Sequence, residues 1–211
     1  MPPEDSNDPQ PTDEQLLRRW HGGSKAMGSQ LFQRHFSSVQ RFFRNKVFAD
    51  DIEDLVQQTF LGCIEGIAQF RGDASFRTYL FAIARRRLYS YLRARNRSKE
   101  REDADLSVTS VHDLGMTPSS AVAAARETIL MLKAMQRLPV ERQSLLELFY
   151  WEDLRGHEIA EVLDIPPATV RTRLFRARAQ LKEILDEMLR QDGISQTVDI
   201  EVHLRAMRST P

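Results

Sequence analysis

Between Pro167 and Lys182 the chain places five basic side chains, Arg171, Arg173, Arg176, Arg178 and Lys182, and no acidic one. The chemistry open to such a run is recognition of a polyanion, because guanidinium groups hydrogen-bond phosphates and, bidentately, the edge of guanine. Val170, Leu174, Ala177 and Leu181 recur through the same run at helical spacing and form one apolar stripe. At about 100° per residue the opposite face carries Ala168, Thr172, Phe175, Arg176 and Ala179, with Arg171 and Arg178 on one flank and Thr169 and Arg173 on the other. A helix pinned by its rear stripe and positive along its front is what the major groove of B-DNA admits. An ordinary solvated helix mixes its charge signs.

A second constellation lies at residues 76–97, where Phe76, Tyr79, Phe81, Tyr89 and Tyr91 interleave with Arg85, Arg86, Arg87, Arg93 and Arg95. Guanidinium groups track phosphates and aromatic faces stack on unpaired bases, so the mixture suits a separated strand better than intact duplex. Roughly half of these aromatics are expected in the core. Arg85, Arg86 and Arg87 are consecutive and cannot share one helical face. A third surface is formed by Glu53, Asp54, Gln57, Gln58, Leu61 and Glu65, an exposed leucine among amides and acids; it reads equally as a protein-docking face or a solvated one.

The residue types for covalent catalysis are missing. His157-Glu158 begins like a zinc-protease motif, but Glu161 stands where the second histidine is needed. There is no glycine-rich phosphate loop and no activated nucleophile pattern. Cys63, the one cysteine, sits among apolar neighbours as a small core residue and permits neither a disulfide framework nor a cysteine metal site. The chain is therefore expected to be no enzyme and to use no cofactor or metal. The N-terminus lacks a charged-then-apolar signal pattern and no apolar run reaches membrane-spanning length, which points to a cytoplasmic protein without membrane insertion.

The elements that must position these side chains follow from the apolar spacing. Ile159, Ala160, Val162 and Leu163 give a short scaffold helix. Asp164-Ile165-Pro166-Pro167 gives a tight turn, its proline suited to the start of the recognition helix. Upstream, 121–138 and 140–151 read as two further helices, so residues 121–185 form a helix-turn-helix domain. Residues 13–97 read as four helices. Leu16, Leu17 and Trp20 lie in the first, which is broken at His21-Gly22-Gly23-Ser24. Leu31, Phe32, Phe36, Val39, Phe43 and Val47 lie in the second. Ile52, Leu55, Val56, Phe60, Cys63, Ile64 and Ile67 lie in the third, which starts near Asp50-Asp51. Leu80, Ile83, Ala84 and Leu88 point inward from the fourth, over about 76–95.

Residues 1–12, rich in Pro, Asp and Asn, read as a disordered tail, and polar residues 98–120 as a flexible linker. The fold class is all-α: two small helical domains joined by that linker. The C-terminal extension, 186–211, departs from the pattern, because Val198, Ile200, Val202 and Leu204 alternate with polar residues at a strand-like period of two. The net charge of zero conceals segregation: Arg85–Arg101 holds eight bases and one acid, while 102–119 holds four acids and no Lys or Arg. Two basic blocks around an acidic spacer imply two contacts with one polyanion.

Three ordered blocks, ADDIEDLVQQTFL, FRGDASFRTYLFAIARRRLYSYLRAR and LPVERQSLLELFYWEDLRGHEIAEVLDIPPATVRTRLFRARAQL, resemble the extracytoplasmic-function (ECF) class of sigma factors in the sigma-70 family. These subunits give bacterial RNA polymerase its promoter specificity. The resemblance spans about residues 13–185. It implies that 13–97 corresponds to sigma domain 2 and 121–185 to sigma domain 4. Asp54, Leu55, Gln57, Gln58 and Leu61 would then dock on the β′ clamp helices of core RNA polymerase, with the β subunit as a further contact. Phe70, Arg71, Phe76, Tyr79, Arg85, Arg86, Arg87, Tyr91 and Arg93 would melt and read the minus-10 element of promoter DNA. Arg171, Thr172, Arg173, Phe175, Arg176 and Arg178 would read the minus-35 duplex. The linker would occupy the RNA-exit path, and an anti-sigma factor would be a further partner. The chain departs from the family pattern at Gln58, where an acid is usual, at Arg86, where asparagine is common, at Tyr79, where tryptophan is common, and at Asp164, which replaces a turn glycine. Aspartate tolerates a left-handed conformation better than most residues. The competing reading is a self-sufficient helix-turn-helix regulator, which would have no need of the aromatic-arginine helix.

Overall fold

A computed structural model describes residues 10–102, 122–191 and 199–209, with the side chains of 10–97, 128–191 and 199–208. Every described regular element is helical. The first domain comprises α1 (Asp13–His21), α2 (Lys25–Arg44), α3 (Ala49–Gly66), a 3-10 turn at Ile67–Gln69 and α4 (Phe76–Glu102). The second comprises α5 (Val122–Gln136), α6 (Val140–Tyr150), α7 (Gly156–Leu163) and α8 (Pro167–Gln191), followed by α9 (Ile200–Ala206) and a 3-10 turn at Met207–Ser209.

Local chemistry sets the helix ends. Thr12 caps α1 in a reciprocal capping box with Gln15. Ser75 starts α4, its hydroxyl accepting from the Thr78 N–H at 3.1 Å. Asp164 ends α7 in the left-handed region, at φ 53°, as its short polar side chain allows. Pro167 then opens α8 at a position where a missing N–H costs nothing. The expected stripes are the buried ones: Ile159, Ala160, Val162 and Leu163 on α7 lie against Val170, Leu174, Ala177 and Leu181 on α8. In the first domain Leu31, Val39, Phe43, Val47, Leu55, Val56, Cys63, Leu80, Ile83, Ala84 and Leu88 form the core.

Several expectations are corrected. Phe36 and Ile64, assigned inward by spacing, are exposed, Ile64 by 51%. α4 continues to Glu102, through the first residues of the expected linker, because residues 96–102 contain no helix breaker. α8 runs to Gln191 and buries Met188 and Leu189, so the second domain extends past residue 185. Of the tail expected at 1–12, Pro11 and Thr12 are held: the Pro11 carbonyl accepts from Arg34 at 2.8 Å. Residues 1–9, the linker residues 103–121 and residues 192–198 lie outside the described residues.

The strand-like reading of 198–204 is overturned, since Ile200–Ala206 is an α-helix capped by Asp199, whose carboxylate accepts from the Glu201 and Val202 N–H groups. Ile200 and Leu204 are four residues apart, a spacing that fits one strand face and one helix face alike. Val202, which a strand would place with them, is 60% exposed.

The two domains pack directly on each other. Lys46, in the turn just past α2, forms an ion pair with Glu147 of α6, and both side chains are fully buried. Arg41 reaches Glu152 Oε1 at 2.6 Å, and Arg77 reaches Glu152 Oε2 at 3.1 Å. Ser75 and Thr78 donate to Glu158 Oε1 at 3.0 and 3.2 Å. Gln143 donates to the Asn45 carbonyl at 3.1 Å.

Candidate nucleic-acid interface

The stripe of α8 buried on α7 leaves its other face outward. Arg171, Thr172, Arg173, Phe175 and Arg176 are all exposed, Phe175 by 68%, an unusual position for a ring unless something covers it. Arg178 lies on the flank and is already engaged, donating to Glu201 Oε1 at 2.8 Å and to the Tyr150 hydroxyl at 3.3 Å. Arg173 and Arg176 also line a cleft of about 370 Å³ between the domains, with Arg85 and Tyr89 of α4 and Arg142 of α6.

The residues of the first domain fall into distinct places. A cleft of about 720 Å³ between α3, α4 and the loop joining them is lined by Phe70, Arg71, Tyr79, Arg86 and Arg87 among others. Phe70 and Tyr79 meet in it with ring centroids 4.6 Å apart. Burial pushes the Tyr79 phenol above its ordinary value, with Arg86 opposing, so it stays a neutral hydrogen-bond donor. The floor is α3, which approaches α4 closely because Gly62 and Gly66 lack side chains; a Cβ on Gly66 would collide with the Tyr79 hydroxyl. The cleft combines two aromatic faces with three guanidinium groups, a pairing that holds an unstacked base and its phosphates.

Other residues of the expected minus-10 set lie elsewhere. Phe76 is only 3% exposed and packs on Phe32 and His35, so it anchors the start of α4 from the core and offers no free ring. Arg85 faces Tyr89 in the interdomain cleft. Tyr91 donates to Asp51 at 2.6 Å and accepts from Arg95 at 3.0 Å, tying α4 to the start of α3. Arg93 is exposed beside Ser90.

On the outer face of α3, Asp54, Gln57 and Leu61 are exposed, and Gln58 donates to Asp54 at 2.6 Å. Leu55 is 3% exposed and belongs to the core, a correction to its place in the expected docking set. Ile64, assigned by spacing to the interior, joins Leu61 one turn away in an apolar patch. Sequence reading also missed Lys46, Glu147 and Glu152, because charged types are almost never fully buried unless paired. Among the described residues no cluster of His, Cys, Asp and Glu could hold a metal ion, and no helix is long and apolar enough to cross a membrane.

Comparison with known proteins places these surfaces in context. The family described as sigma-70 region 2 matches residues 31–98, and that described as sigma-70 region 4 matches residues 128–181. The chain is 29% identical over 184 residues to the ECF RNA polymerase sigma-E factor of Haemophilus influenzae, covering 84% of this chain and 97% of that protein. It is 27% identical over 186 residues to the sigma-E factor of Escherichia coli K12, covering 85% and 97%. Among solved structures it resembles the sigma factor RpoE in complex with the anti-sigma factor NepR from Bartonella quintana, at TM-score 0.63 and 21% identity over 75% of this chain and 96% of that one. It also resembles CnrH in complex with the cytosolic domain of CnrY, at TM-score 0.60 and 23% identity over 83% and 97%. At those identities the likeness is one of fold.

Proposed function

The chain belongs to the extracytoplasmic-function class of the sigma-70 family, a class of non-catalytic regulatory subunits, and on that premise we propose how its surfaces divide the work. It is an RNA polymerase-associated factor that directs promoter-specific initiation of transcription. In this reading α8 enters the major groove of the minus-35 element, with Arg171, Thr172, Phe175 and Arg176 toward the bases and Arg173 and Arg178 toward the backbone. The cleft holding Phe70, Arg71, Tyr79, Arg86 and Arg87 captures a base flipped from the non-template strand of the minus-10 element, with Arg93 on the phosphates. No group reacts: binding to the unpaired strand offsets an unstacking cost of a few kcal/mol and so holds the melted state.

Asp54, Gln57, Gln58 and Leu61, now with Ile64, dock on the polymerase clamp in the cytoplasm, and an anti-sigma factor competes for these surfaces. The observation that carries the reading is the separation of two kinds of cationic surface, one helical face free for duplex and one aromatic cleft for an opened base. Run-off transcription with core polymerase tests it. A promoter-dependent transcript is expected, lost in Tyr79→Ala and Arg176→Ala; a chain that supports no transcript, with or without residues 1–12 and 192–211, would sink the reading.

A further inference from the structure

We propose that residues 199–209 are a detachable intramolecular ligand of the second domain, whose docking helps hold the two domains closed and so opposes engagement of both promoter elements at once. The proposal rests on the sigma-factor reading for its consequence, but not for its physics. The segment lies beyond both family matches, which end at residues 98 and 181.

α9 is built to dock. Asp199 caps its start, and Ile200, Leu204 and Met207, at i, i+4 and i+7, are buried while Val202 faces solvent. A helix end leaves its last carbonyls unpaired. Here side chains from outside supply the partners: the buried Trp151 indole N–H donates to the Leu204 carbonyl at 2.9 Å, and Arg41 donates to the Arg208 carbonyl at 2.7 Å. Trp151 belongs to the second domain and Arg41 to the first. The same Arg41 guanidinium donates to Glu152 Oε1 at 2.6 Å, so one side chain ties the first domain, the second domain and the tail. Glu201 meanwhile takes Arg178, a member of the minus-35 set, in a 2.8 Å ion pair. Arg205 lies over the Tyr150 ring.

Two magnitudes make the segment a switch. A single helix of two turns does not persist alone in water, so α9 exists only while docked, and release and melting are one event. The minus-10 and minus-35 elements, about 25 base pairs apart at 3.4 Å each, lie roughly 85 Å apart along the duplex. The closed arrangement instead gathers Arg85 of α4 and Arg173 and Arg176 of α8 around one cleft. Promoter engagement therefore requires opening, and whatever favours closure opposes it.

Energy transfer between dyes on cysteines introduced at exposed Lys25 and Glu183 reads closure on the full chain, without polymerase or DNA. Cys63 does not compete for label, because it is buried and its thiol is pushed up to about 12 by that burial. Deleting 192–211 should raise the open fraction strongly. Trp151→Phe, which keeps an aromatic ring but loses the N–H and part of the indole's volume, should raise it by about threefold to tenfold; Glu201→Gln should raise it by about twofold. Circular dichroism checks that both point variants remain folded. If neither point variant raises the open fraction, the proposal is wrong, whatever the deletion does. Because the assay contains no promoter, that failure would leave the sigma-factor reading intact, and a failure of run-off transcription would leave the docking of residues 199–209 standing.

Discussion

Gly66 sets how closely α3 and α4 approach at the aromatic cleft, and its substitution separates the cleft from the fold. In Gly66→Ala the new methyl meets the Tyr79 hydroxyl. The phenol must swing outward or the helices must part, a strain of about 1–3 kcal/mol. Permanganate footprinting of promoter opening should show reduced melting, while binding to a minus-35 duplex is unchanged. Arg176→Ala tests the other surface: a base-edge contact predicts a loss of about 1–3 kcal/mol for the preferred minus-35 sequence and little for others. A loss equal on all sequences, with a shallower salt dependence, would make Arg176 a phosphate contact instead.

At the scale of the element, α1 is held to α2 by charge. Asp13, at the first position of α1, accepts from Arg34 and pairs with His35, each at 2.6 Å. Burial alone would raise its carboxyl, but those two partners outweigh it and hold it below its ordinary value of 3.8. A carboxylate depressed in the folded state contributes stability that is present above the unfolded value and lost as pH falls through the folded one. Urea titrations should therefore show the first domain weakening below about pH 4, with Asp13→Asn less stable at neutral pH and flatter in acid. The helices of this domain and the α7–turn–α8 unit were legible in the sequence, because an apolar stripe at 3.6 spacing, a left-handed aspartate and a leading proline each constrain the chain locally. α9 was not, since its two buried anchors stand four residues apart and that spacing is common to both periods. Ile64 was misassigned for a related reason: periodicity gives the buried side of α3 but not where the stripe ends, whereas Leu55 lies where periodicity put it and only the resemblance set it on the docking face.

At the scale of the whole molecule, closure rests on charges that no apolar pattern reveals. Lys46 and Glu147 come from different domains, and burial drives the lysine down and the glutamate up, their mutual attraction opposing both shifts. Lys46 also donates to the Phe42 carbonyl at 2.6 Å, and Gln143 donates to Glu147 at 3.3 Å, so the pair's remaining hydrogen-bonding capacity is partly met. Removing one partner of such a pair leaves the other as an uncompensated buried charge, at a cost of about 3–5 kcal/mol, whereas replacing both with apolar residues is often neutral or stabilising by about 1–4 kcal/mol. In this chain those numbers would act on the balance between closed and open forms proposed above. Glu147→Gln should then open the free chain, increasing its radius of gyration in small-angle scattering and its activity with core polymerase at limiting concentration. Lys46→Met combined with Glu147→Leu should do the reverse, staying compact and initiating transcription less. Equal radii for both variants would mean that the domains are held together by something other than this pair, and that the charged contacts around Glu152 and Glu158, not Lys46, set the balance between a stored and a working sigma factor.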